Sequence, residues 1–142
     1  MGGSDVEAVD RRFRAGFYAA AAYNIGGLLV FSKGFTNTVL FDTDPVLFSI
    51  PGCLLVMIWG LAYAAQSRSW RSGPAVSAVF ALEKAFYAGW WVWWLAENHA
   101  RLPDIYAADA LAGAFYSVYG LGDAAFGVFF AMAAAVALRE RS

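Results

Sequence analysis

"ALEKAFYAGWWVWWLA", residues 81–96, is a stretch in which nearly every side chain belongs in hydrocarbon, yet Glu83 and Lys84 stand side by side within it and four tryptophans follow in five residues. An isolated charge at the centre of a bilayer costs about 2.5–3.5 kcal/mol on insertion scales, so such residues face the interior of a bundle and find partners there. Whether this segment lies in a membrane therefore decides the fold.

The rest of the chain points the same way. Of 142 residues, 61% are hydrophobic and only 15% charged, too apolar for an ordinary soluble domain. Long stretches separate the flanking charges: 18 residues between Arg14 and Lys33, 23 between Asp44 and Arg68, 25 between Arg71 and Glu97, and 29 between Asp109 and Arg139. The third is interrupted by Glu83 and Lys84 and the fourth by Asp123. Each is long enough for a spanning helix, which needs about 20 residues. The first apolar run continues through Gly26, Gly27 and Val30 to Phe31 without a small-residue cleavage site, and reads as a retained span rather than a cleaved signal.

The expected fold is an all-α integral membrane protein, a single antiparallel four-transmembrane-helix bundle over 1–142 with helices at about 15–35, 46–66, 75–96 and 112–137. Pro45 and Pro51 suit the first turns of the second helix and Pro74 the start of the third, where a missing N–H costs little. Seven Lys/Arg residues (Arg11, Arg12, Arg14, Arg68, Arg71, Arg139, Arg141) fall on one side and two (Lys33, Arg101) on the other. The positive-inside rule then places both termini in the cytoplasm and the protein in the inner or plasma membrane.

With a rise of ~1.5 Å per residue, Asn24, Glu83, Lys84 and Asp123 all fall near the midplane, and Lys84 has the reach to meet Asp123. Tyr116, Tyr119 and Asp123 are spaced three and four apart and share a helical face; Tyr87 lies beside the tryptophan cluster. Two carboxylates and one lysine leave one negative charge uncompensated, which calls for a proton or cation at the site. Asn24, Glu83, Lys84, Tyr87, Tyr116, Tyr119 and Asp123 are the candidate site, for a proton, a small ion or a hydrophobic ligand. Close helix contact is expected through Gly120, Gly127, Ala124, Ala131 and Ala135.

Other chemistries find little support. The single cysteine, Cys53, excludes an intramolecular disulfide. One histidine, His99, in an expected outer loop gives no basis for haem or catalytic zinc. The aspartates of "FDTDP", residues 41–45, read as an acidic surface with a helix cap. No phosphate loop, nucleophile elbow or metalloprotease helix is present, so neither an enzyme nor a nucleic-acid partner is indicated. The tryptophans at 90, 91, 93 and 94 read first as an interfacial belt.

The stretch "FRAGFYAAAAYNIGGLLVFSKGF", residues 13–35, with its arginine, spaced glycines and lysine near the helix end, is similar to the start of DoxX-type proteins. The likeness spans about the first quarter of the chain, and no role is carried over from it. The expected partners are membrane lipids, a hydrophobic ligand, proton or small cation, and a homo-oligomer or larger membrane complex. The alternative is an accessory or assembly subunit whose buried charges are structural staples.

Overall fold

The computed structural model describes residues 3–141. In chain order the elements are α1 (Gly3–Ala22), a π-helical turn (Tyr23–Gly27), α2 (Leu28–Phe31), α3 (Thr38–Thr43), α4 (Ile50–Gln66), α5 (Pro74–Asn98), a 3-10 turn (His99–Arg101), α6 (Leu102–Ala108) and α7 (Ala110–Arg139). The all-helical expectation is borne out, with no strand among the described residues. By length and composition one helix, α7, is long and apolar enough to cross a membrane, and α4 is apolar but shorter.

Several bounds differ from the sequence reading, each for a local reason. Ala22 and Leu28 keep right-handed helical dihedrals on either side of the π turn, so α1, the turn and α2 form one continuous rod. That rod starts at Gly3 rather than near residue 15, because its charged first half docks on the α4–α5 turn. Asp10 bridges Arg14 one turn on at 3.0 Å and accepts from Trp70 Nε1 at 2.9 Å, while Phe13 stacks on Trp70 with ring centroids 4.3 Å apart. The rod ends at Phe31, short of 35, where Lys33, Gly34 and Phe35 all take left-handed φ values of 51°, 62° and 69°. Such dihedrals cannot continue a right-handed helix. Pro45 lies ahead of α4, whose first turn instead holds Pro51 behind the N-cap Ser49, whose hydroxyl accepts from Gly52 N at 3.3 Å.

The rods pack antiparallel in a closed ring. Asn24 meets Val56 and Tyr63 meets Glu83, joining the first rod to α4 and α4 to α5. Lys84 meets Asp123 while Trp91 meets Tyr116, so α5 and α7 run in opposite directions. Phe17 packs on Phe130 and Phe31 on Phe115, closing α7 back onto the first rod. Two apolar clusters fill the interior. One, at the end carrying both described chain ends, contains Phe17, Ala20, Tyr63, Trp70, Phe80, Phe130 and Ala137. The other, beneath α3 and α6, contains Leu28, Leu40, Phe48, Trp94, Phe115, Tyr116 and Tyr119. On three of the four rods the polar residues Asn24, Glu83, Lys84 and Asp123 fall between the positions given to these clusters.

Gly120 and Gly127 face α5: a Cβ on Gly120 would overlap the Trp91 ring, and one on Gly127 would come 3.3 Å from Lys84 Cβ. Ala124, Ala131 and Ala135 are exposed instead; the close approaches of α7 fall on its glycines, with Gly113 against Tyr106 and Gly122 against Tyr23 as well. The α7 N-cap is Asp109, which accepts from Ala112 N at 2.8 Å and Asn37 Nδ2 at 2.9 Å and pairs with Lys33. The Lys33 ammonium and then the Ala112 N–H hold its carboxyl below the usual range, at about 2. A depressed carboxyl stabilises the fold above its ordinary value, and that contribution is lost as pH falls from about 4 towards about 2. Asp109→Ala is expected to cost about 1 kcal/mol near neutral pH. Melting curves against pH should show the gap to the wild type narrowing once the pH drops into that window.

Candidate functional site

Neighbouring residues on a helix point about 100° apart, and this separates the two adjacent charges of α5. Lys84 is turned towards α7 and the first rod, where Nζ donates to Asp123 Oδ1 at 2.6 Å and to Asn24 Oδ1 at 2.7 Å. Its ammonium also lies 5.4 Å from the Tyr23 ring and 5.3 Å from the Tyr63 ring, within the range of a cation–π attraction. Lysine has three N–H donors; two are taken by oxygens and the rings flank the group. At 1% exposure it is sealed from solvent. Asn24 is oriented by donating Nδ2 to Val56 O at 3.0 Å across the helix contact.

Glu83 is turned towards α4, where Oε2 accepts from the Tyr63 hydroxyl. Its other oxygen, Oε1, has no hydrogen-bond partner among the described residues, and neither has the Tyr119 hydroxyl. Glu83 is 9% exposed and Tyr119 5%. Leaving a buried polar atom unpaired costs about 1–3 kcal/mol, more for a charged one, so two at one place need an explanation.

Both groups belong to residues that line one cavity of about 90 Å³. A water needs about 10–15 Å³ by this measure, so there is room for several waters or a small head group. Asn24, Glu83, Lys84, Tyr119 and Asp123 supply its polar lining, and Leu28, Phe31, Phe48, Val56, Phe115 and Val118 much of the apolar remainder. Gly27 and the exposed Val118 bring it to the surface between the first rod and α7. On one side of that gap the rods touch where the Tyr23 hydroxyl donates to Tyr119 O, and on the other where Phe31 packs on Phe115 at 5.5 Å. Between them a Cβ on Gly27 would meet nothing within 4 Å. The π turn lies at this gap, and such turns recur at functional sites.

Of the seven residues singled out from the sequence, Asn24, Glu83, Lys84, Tyr87, Tyr119 and Asp123 line this cavity. Tyr116 is not brought to it: the ring packs on Trp94 and the hydroxyl donates to Leu40 O at 2.7 Å. Sequence reasoning missed Tyr23 and Tyr63. Tyr23 could have been found as the neighbour of Asn24 in an apolar run; Tyr63 had no comparable signal. Asp44, read as surface acid, is buried, with Oδ1 capping Val46 N and Leu47 N and Oδ2 accepting from Trp90 Nε1 at 2.8 Å. His99 is exposed, and no metal-binding cluster of His, Cys, Asp and Glu forms among the described residues.

The tryptophans divide. Trp91 Nε1 donates to Tyr116 O at 2.9 Å, Trp94 is buried against the Tyr116 ring at 4.7 Å, and Trp93 is exposed. The exposure that an interfacial belt calls for is kept by Trp93 and lost by Trp94. Trp94→Leu is expected to cost about 2 kcal/mol through lost ring packing, and Trp93→Leu less than about 0.5 kcal/mol. Thermal melts of the two variants under the same conditions check the difference.

Compared with family models, with curated proteins and with solved structures, the chain finds no match.

Proposed function

We propose that the protein is a four-helix integral membrane protein, both termini cytoplasmic, whose midplane cavity binds a lipid-soluble ligand at the Glu83–Tyr119 floor. The inverted distribution of polarity supports the membrane setting. Exposed positions on the rods are held by Val30, Leu61, Leu82, Leu121 and Val128, with Leu82 71% exposed, while Lys84 and Asp123 are buried. An apolar exterior over a charged interior is what a bilayer accommodates better than water does. α5 has the length to cross, at 25 residues, but Glu83, Lys84 and its aromatic polar atoms dilute its apolar character.

One observation carries the ligand reading: two residues with buried, unpartnered polar groups line a single partly open cavity. A purely structural role for the charges, as in an accessory subunit, calls for a dry and fully satisfied cluster. The Lys84–Asp123–Asn24 part is satisfied; the Glu83–Tyr119 part is not. Native mass spectrometry of protein extracted with its lipids provides the test. A small molecule should accompany the wild type and be lost from Val56→Phe, which fills the cavity, with melting temperature retained. Identical ligand-free spectra from both would count against the reading.

A further inference from the structure

We propose that the ligand is a hydrophobic amine, bound as its ammonium ion to Glu83 and admitted sideways from the bilayer between the π turn and α7; this rests on the lipid-soluble ligand reading above. Charge is the first argument. Lys84 is held by Asp123 and Asn24, so it answers the Asp123 carboxylate and leaves the carboxylate of Glu83 without a cation. An ammonium supplies that charge together with several N–H donors. One can go to Glu83 Oε1 and another to the Tyr119 oxygen, the unpartnered polar atoms of two residues that line the cavity. A neutral apolar molecule would satisfy neither.

The walls and the opening give the rest of the ligand. Tyr87, Phe48 and Phe115 line the same cavity, and aromatic faces attract an ammonium that has left water. The opening spans residues 23–31 of the first rod, about 12 Å at the helical rise, and its surroundings include the exposed Leu29, Val30, Val118 and Leu121. In a bilayer these residues would face acyl chains, so what passes between them has an apolar body. Gly27 keeps the passage clear, since any side chain there would project into open space.

The test uses the full chain in lipid nanodiscs, with empty nanodiscs subtracted, and radiolabelled 4-phenylbutylamine against the uncharged 4-phenylbutanol. The amine should bind about 10–100-fold more tightly than the alcohol, the range expected for a charge-assisted hydrogen bond. Glu83→Gln, which keeps the side-chain volume and an acceptor for Tyr63, should abolish that preference by bringing amine binding down to the level of the alcohol. Gly27→Leu should slow association of both compounds with no change in melting temperature. Equal binding of amine and alcohol, each blocked by Val56→Phe, would overturn the ammonium while leaving a lipid-soluble ligand in place. Binding of neither compound would overturn both, and unaltered association in Gly27→Leu would overturn the lateral route.

Discussion

Replacing Lys84 with methionine is expected to lower stability in detergent by about 3–5 kcal/mol, the cost of leaving one partner of a buried ion pair uncompensated. The loss has a specific structure. Asp123 Oδ1 and Asn24 Oδ1 both surrender their donor, and nothing else within the cluster replaces it. Asp123→Asn should cost a comparable amount by stranding the ammonium. The double variant should recover part of the loss, because removing both charges removes the desolvation penalty with them. Glu83→Gln should leave stability nearly unchanged, since Tyr63 keeps an acceptor. Chemical denaturation of the four proteins gives the coupling as a double-mutant cycle. Strictly additive losses would mean that Lys84 and Asp123 do not depend on each other, and the arrangement of charge at the cavity would have to be redrawn.

The second large effect is expected at Gly120, where α7 is pressed against α5. Any side chain there overlaps the Trp91 ring, and that ring is fixed by its bond to Tyr116 O. Gly120→Leu must part the helices or expel the indole, for about 3 kcal/mol at the upper end of overpacking costs. Gly89→Leu is the matched control, since Gly89 is exposed and a Cβ there meets nothing within 4 Å. Its melting temperature should equal the wild type's or exceed it. Similar losses from both variants would show that the α5–α7 contact is not where Gly120 acts.

Much of the polar cluster was legible because charge and amide stand out in apolar runs. Asn24, Glu83, Lys84 and Asp123 could each be assigned a depth from helical rise alone, and residues of equal depth in one bundle have few other partners. What rise cannot give is azimuth. Tyr116 and Tyr119 share a face with Asp123, but Tyr116 stands seven residues, about 10 Å, from it, and which neighbours it meets there, Leu40 and Trp94, depends on how α7 is rotated. The same limit hid Tyr63, whose partner Glu83 is specified only once α4 and α5 are rotated against each other.

Helix existence was likewise clearer than helix extent. The charged residues 3–14 carry no apolar run, and their helix is held by contacts with Trp70 and Arg71 from the distant α4–α5 turn. α3 and α6 are too short for periodicity to reveal. α3 is instead fixed by the Asn37 cap, through its bond from Leu40 N at 3.3 Å. Ala124, Ala131 and Ala135 mislead for a related reason, as small residues permit close contact without requiring it.

The most direct test of the central claim, a charged cavity inside a bundle that crosses a bilayer, is the sidedness of its loops. Single cysteines at Thr36→Cys, Ser72→Cys and Arg101→Cys, each in a Cys53→Ala background, occupy exposed positions on turns at the two ends of the bundle. Intact cells are treated with a membrane-impermeant thiol reagent, then permeabilised and treated again. The expected result is labelling at 36 and 101 in intact cells, with labelling at 72 only after permeabilisation. Equal labelling at all three positions in intact cells, or recovery of the protein free of the membrane fraction, would contradict a four-span bundle and with it the proposed intramembrane site.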